Sequence, residues 1–211
     1  MKYYPISLDL KDKRCVVVGG GGVAERKVKS LIACGAVVRV ISPNITRGLS
    51  KLKSGNKIVH LRRGYRRDDL KGAFLVFGAT SSGDLNSRIA TDAKKERTLV
   101  NIVDSPAKCD FIVPASINRG NLTISISTSG ASPALARFLR QRLEKDYGSE
   151  YGKFLKIMER LRHEVLKKVQ DKTNRKRIFE EMVKSDAVRL IKMGDEKGAV
   201  KRLRLMTETK G

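Results

Sequence analysis

The chain predicts an α/β fold built on a mostly parallel sheet, and three observations predict it. A β-branched run, Val16–Val18, breaks into four glycines, Gly19 to Gly22, and a helical pattern follows at once. Short apolar runs then alternate with helical or turn segments over about the first 115 residues. Strands that alternate with helices need crossovers, which place helices on both faces of a parallel sheet. Beyond residue 148 the pattern turns helical and charged throughout.

Each element follows in order. After the glycines, Ala24, Val28, Leu31 and Ile32 fall on one helical stripe, and Cys34-Gly35 closes that helix. Val37–Ile41 reads as the second strand, with further strands at Lys57–Leu61, Phe74–Ala79, Leu99–Val103 and Phe111–Val113. Residues Asn121–Ser127 alternate Leu122, Ile124 and Ile126 against polar neighbours, the pattern of a half-buried strand. Ser132-Pro133 is a helix start: a hydroxyl cap, then proline where its missing N–H costs nothing. Leu135, Leu139 and Leu143 give that helix an apolar stripe ending near Gly148. Helices are expected over about Tyr151–Lys168, Asn174–Lys184 and Glu196–Met206.

The glycines point to a ligand. Gly19 permits a tight turn out of the strand, Gly21 lets backbone approach a pyrophosphate, and Ala24 is the small residue that allows close helix–strand packing. The phosphates would sit on the helix N-terminus, where free N–H groups and the dipole favour anions. This is the Rossmann-type arrangement. An acid that binds ribose is expected at the end of the second strand, yet the chain reads Ser42-Pro43-Asn44 there, with Arg47 close by. Ser42 and Asn44 can hydrogen-bond a ribose hydroxyl but repel no 2′-phosphate, so spacing leaves NAD and NADP both open.

Composition narrows the partners. The 211 residues carry 45 Lys+Arg against 22 Asp+Glu, a net charge of +23. The excess is spread along the chain, +13 in residues 1–136 and +10 in 137–211. Such a field attracts polyanions. Nucleic acid is disfavoured, because aromatics are only 5% of residues and no nucleic-acid-binding motif is present. No apolar run reaches the length of a membrane span, and the amino end lacks a signal-peptide core. Cys15, Cys34 and Cys109 are far apart and odd in number, which fits reduced thiols in the cytoplasm and no metal framework. His60 and His163 stand alone, without metal-ligand spacing.

The catalytic candidate is Asp104, just past the carboxyl end of the Leu99–Val103 strand, where open parallel sheets bind their ligands. A carboxylate there is placed to accept a proton. Asp104-Ser105-Pro106 equally suits a plain turn opener, and the residues leave these two readings even. Asp110, the rival acid, reads as structural.

Taken together, the residues resemble the precorrin-2 dehydrogenases, stand-alone or as the amino-terminal module of siroheme synthase. The resemblance runs through Tyr4-Pro5-Ile6, Val18–Gly21, Val23-Ala24-Glu25-Arg26-Lys27, Ala79-Thr80 with Asn86, Asn101–Asp104, Phe111–Ala115 and Ser129–Ala136. It implies an NAD-binding domain over 1–114, a dimerisation region (strand plus helix) over 115–147 and an all-helical module over 148–211. It implies a cytoplasmic homodimer that oxidises precorrin-2 to sirohydrochlorin with NAD, some relatives also inserting ferrous iron. The substrate would be an octacarboxylate tetrapyrrole, a natural partner for the +23 charge. Cofactor contacts are implied at Gly19, Gly21, Gly22, Val23, Ser42, Pro43, Asn44, Ala79 and Thr80, and the functional aspartate falls on Asp104. Arg119 and Arg137 are the expected carboxylate contacts, with Arg140 and Arg142 as further candidates. Where the family has serine in its Ser-Ser-Gly-Gly loop, this chain has Thr128. The rival from another class is an NAD-binding regulatory module without catalysis, but such modules carry an acid where Ser42 stands.

Overall fold

The computed structural model describes residues 3–208 and divides them between two compact units, 3–113 and 114–208. In the first unit five strands form one wholly parallel sheet: β1 (Arg14–Val18), β2 (Val37–Ile41), β3 (Ile58–Leu61), β4 (Leu75–Gly78) and β5 (Leu99–Ile102). Their spatial order is β3-β2-β1-β4-β5. The chain therefore winds outward from β1 on one side, then returns to β1's other side at β4. That reversal opens a crevice above the carboxyl ends of β1 and β4, the position where such sheets bind ligands.

The sheet is buried on both faces because its strands alternate two sets of apolar side chains. Cys15, Val17, Val38, Val40, Leu75 and Phe77 pack with Ala24, Val28 and Leu31 of α1 (Gly22–Ala33) and Leu49 of α2 (Arg47–Ser54). Val16, Val18, Ile41, Val76, Val100 and Ile102 pack instead with Ile89, Ala90 and Ala93 of α3 (Gly83–Lys95).

Phe111–Val113, expected as a strand, is irregular. Its apolar character serves packing without a ladder: Phe111 meets Phe77 edge-on at 5.6 Å between ring centres, and its carbonyl accepts from the Asn101 side chain. Asp110 ties this segment down, its carboxylate accepting from Val100 N–H at 3.0 Å.

In the second unit the expected single strand over 115–147 is a pair. β6 (Ala115–Arg119) runs antiparallel to β7 (Leu122–Ile126) through Gly120-Asn121. Gly120 takes φ +61, the left-handed geometry that the first position of a type II′ hairpin loop requires. Then come α4 (Pro133–Asp146), α5 (Ser149–Lys168), α6 (Lys172–Lys184), α7 (Ala187–Lys192) and α8 (Glu196–Glu208). Ser132 caps α4 by accepting from Leu135 N–H, as the Ser-Pro signal required. Phe154, Ile157, Leu161, Val165, Ile178, Met182, Ile191 and Leu203 build a core from α5 to α8. The α4 stripe behaves differently: Leu135 is 47% exposed, Leu139 and Leu143 are half-buried, and off the stripe Ala136 is buried while Phe138 is 57% exposed.

Candidate cofactor and active site

The β1–α1 elbow is built by two close backbone approaches. Gly19 N–H extends the ladder to Ile41 carbonyl at 2.9 Å, and Gly19 sits at φ +125 with its α-carbon face against the Ala79 carbonyl. Gly20 faces the Asn44 carbonyl and the Ser42 hydroxyl with no room for a β-carbon, while its own carbonyl accepts from Thr46 N–H at 3.0 Å. The elbow therefore interlocks with the loop after β2. Gly20→Ala is expected to force that loop away, at a cost of about 1–3 kcal/mol, read as a lower denaturation midpoint.

Above the next two glycines the space is open. A β-carbon at Gly21 or Gly22 would meet nothing within 4 Å. Gly21 is the N-cap of α1 and no side chain caps it, so the N–H groups of the first turn point at that space without a capping partner. A pyrophosphate needs this combination of bare backbone, free N–H groups and helix N-terminus. The residues present fit a nicotinamide dinucleotide.

The open space belongs to a cleft of about 850 Å³, formed at strand tips of the first unit. Gly19–Val23 line it after β1, Ser42–Thr46 after β2, Arg63–Tyr65 after β3, Ala79–Ser82 after β4, and Val103-Asp104 after β5. The structure thus brings together Gly19, Gly21, Gly22, Val23, Ser42, Pro43, Asn44, Ala79, Thr80 and Asp104 around one cavity.

Their supports are local. Ser42 is 9% exposed and donates its hydroxyl to the Asn44 carbonyl at 2.7 Å, which shapes the loop and leaves the oxygen's lone pairs toward other donors. Thr46 caps α2 and donates to Glu25 at 2.5 Å, joining α2 to α1. Asn86 of α3 clamps the β4 loop, accepting from the Thr80 hydroxyl at 2.8 Å and donating to the Thr80 carbonyl at 3.1 Å. Asp104 sits at φ +59, an uncommon conformation that aspartate tolerates better than most side chains, and it is exposed to the cleft.

The loop after β3 is the part that sequence reasoning missed. Arg63 pairs bidentately with Asp69, and Tyr65, 8% exposed, donates to Asp92 at 3.1 Å. Burial pushes the Tyr65 phenol up, and the neighbouring Asp92 charge adds to this, so it stays protonated as donor. Burial pushes the Asp69 carboxyl up as well. Hydrogen bonds from Arg63 and from Arg66 N–H, with the charges of Arg63 and Arg39, outweigh burial and hold it below its usual value. The rule that ligands bind at strand carboxyl ends was the available signal for this loop.

The expected carboxylate contacts lie in the second unit. Arg119 is engaged: its guanidinium donates to the Tyr147 carbonyl at 3.1 Å and pairs with Glu144 at 3.5 Å. Arg140 pairs with the same Glu144, whereas Arg137 and Arg142 are exposed. Among the described residues no group of three or more His, Cys, Asp or Glu is arranged to hold a metal ion.

A parallel sheet with a glycine elbow, a bare helix N-terminus and a cleft at its switch point defines a nicotinamide-dinucleotide-binding protein. Residues 6–115 match the family described as "Putative NAD(P)-binding", residues 119–146 the sirohaem biosynthesis protein central region, and residues 150–206 the sirohaem synthase dimerisation region. The chain belongs to this NAD(P)-binding family, and the two matches to sirohaem biosynthesis regions follow it consecutively along the sequence. Siroheme synthase of Thioalkalivibrio sulfidiphilus is 37% identical over 209 residues, covering 99% of this chain and 43% of that protein. Siroheme synthase of Pseudomonas fluorescens is 37% identical over 198 residues, 93% of this chain and 43% of that protein. The chain thus spans less than half the length of these relatives. The solved structure of SirC, precorrin-2 dehydrogenase, matches with a TM-score of 0.78 at 25% identity, covering 96% of this chain and 100% of that one.

Proposed function

We propose that this chain is an NAD-dependent precorrin-2 dehydrogenase, which oxidises precorrin-2 to sirohydrochlorin on the route to siroheme. The observation that carries the reading is the placement of Asp104. Its carboxylate lines the same cleft as the glycine elbow, one strand beyond the switch point, and among the described residues no hydrogen bond or ion pair ties it to the fold. Bound NAD+ supplies a hydride acceptor. Gly21, Gly22 and the first turn of α1 would hold its pyrophosphate, and the loops after β2 and β4 would line the rest of its site. Asp104 takes the proton that leaves the macrocycle as the hydride departs, which accounts for both hydrogens removed.

NAD is favoured over NADP because Arg63, the one guanidinium among the described residues lining the cleft, is already paired with Asp69. The exposed Arg137 and Arg142 suit the peripheral carboxylates of an octacarboxylate tetrapyrrole, whereas Arg119 would have to leave Glu144 and the Tyr147 carbonyl to make such a contact. The match to a dimerisation region over 150–206 supports a homodimer, and the exposed Leu135 and Phe138 of α4, which precedes that region, offer further apolar surface. Three unpaired cysteines suit the reducing cytoplasm.

The test is turnover of precorrin-2 under anaerobic conditions with NAD+, followed by NADH absorbance and the macrocycle spectrum. NADH should appear in step with sirohydrochlorin. A protein that binds NAD+ but leaves precorrin-2 unchanged would overturn the dehydrogenase reading.

A further inference from the structure

Arg63 is the one cation among the described residues lining the cleft, and a buried carboxylate restrains it. Its Nη1 and Nη2 donate to the two Asp69 oxygens at 2.9 and 2.6 Å, and Nη1 also reaches the Gly64 carbonyl at 2.9 Å. The Asp69 side chain is 4% exposed, whereas that of Arg63 keeps 33% of its surface. The pair stands beside the tip of β2. The N–H of Ser42 and the N–H of Arg63 converge on the Leu61 carbonyl, at 3.2 and 2.9 Å. Sheets of this type place the adenosine ribose at that tip.

Two devices commonly read the ribose there: an acid that binds the 2′-hydroxyl, or an arginine that accommodates a 2′-phosphate. This chain has no acid at the tip, which holds Ser42-Pro43-Asn44, and it has the arginine. Taken alone, that combination favours a phosphorylated cofactor. What opposes it is Asp69, in contact with the same guanidinium.

We infer that Asp69 determines cofactor specificity: by occupying both terminal nitrogens of Arg63, it withholds from the cleft the guanidinium that a 2′-phosphate would require. The inference rests on the dinucleotide reading of the cleft and names the residue that selects within it. A 2′-phosphate at this tip would have to break a bidentate charge-assisted pair, and would bring its own negative charge toward a buried carboxylate. Asp69 therefore discriminates from behind Arg63, where an acid on β2 would discriminate from the front. Arg39 also lies close enough to feel the Asp69 charge, so neutralising Asp69 leaves two guanidiniums without their shared counter-charge.

Asp69→Asn isolates this effect. The amide oxygen still accepts from Arg66 N–H, now 2.8 Å from Asp69, while the amide nitrogen offers Arg63 a donor where it had an acceptor. Arg63, partly exposed, then keeps only its Nη1 contacts without the charge of a carboxylate, and its Nη2 edge can turn into the cleft. Direct titration of NADH and NADPH, followed by nucleotide fluorescence and by calorimetry, reads the outcome without turnover. The wild type should bind NADH at least about tenfold more tightly than NADPH. Asp69→Asn should reduce that ratio by roughly tenfold or more, chiefly by tightening NADPH, with steeper salt dependence. The double variant Arg63→Gln/Asp69→Asn should lose the gain. Equal wild-type affinities for NADH and NADPH would overturn the inference without any variant. So would a folded Asp69→Asn protein with an unchanged ratio. A wild type that binds neither nucleotide would instead overturn the cofactor reading itself.

Discussion

Asp104→Asn is expected to lower precorrin-2 turnover by at least about a hundredfold while leaving the melting temperature and NADH affinity near wild type. The magnitude is what loss of a positioned general base typically costs. The selectivity follows from the surroundings of Asp104. It is exposed, it lines the cleft, and its backbone sits at φ +59, so the fold asks of this position only a residue that accepts the left-handed region. Asparagine accepts it as readily as aspartate and occupies the same volume, but it takes up no proton near neutral pH. Asp104→Gly is a second probe. Glycine removes the β-carbon penalty at positive φ, so this variant should be equally slow at an unchanged or higher melting temperature. Steady-state NADH formation beside a thermal melt decides the matter. An asparagine variant with near wild-type kcat would leave Asp104 as a turn residue, the bland reading that its Asp-Ser-Pro context always allowed.

What the sequence made legible depended on how local the signal was. The strand, the glycines and the α1 stripe are written in consecutive residues, so the elbow and its anion-binding helix could be read directly. The cleft residues at Ser42–Asn44, Ala79-Thr80 and Asp104 were reachable by one further rule, that parallel strands present ligands at their carboxyl ends. Elements with weak periodicity escaped. β6 buries only Ile117 fully, so Ala115–Arg119 shows little alternation to detect, and the six residues of α7 are too few to establish a helical period. Phe111–Val113 misled in the opposite sense: Phe111 packs against the core while Val113 is half exposed, and the backbone joins no ladder. Arg63 and Asp69 carry no pattern at all. A run of Arg and Asp residues after β3 reads as solvated surface, and only the folded chain shows one acid buried and one guanidinium turned along the cleft wall.

Gly22→Ala should separate cofactor binding from folding more sharply than any other single change. The position is the first residue of α1, its φ is not in the left-handed region, and a β-carbon there meets no protein atom within 4 Å. The folded protein therefore loses nothing, and the unfolded chain loses freedom, so stability should rise by about 0.4–1 kcal/mol. The added methyl group would occupy the space in front of the first-turn N–H groups, where the pyrophosphate must come within hydrogen-bonding distance of backbone. Affinity for NADH should fall by at least about tenfold, the equivalent of about 1.4 kcal/mol. The melting temperature and the NADH titration should then move in opposite directions. Gly20→Ala makes the contrast, since its methyl group strikes the Asn44 carbonyl and should lower stability and affinity together. If Gly22→Ala bound NADH as tightly as wild type, the pyrophosphate could not lie against this helix N-terminus. The placement of the nicotinamide near Asp104 would fall with it.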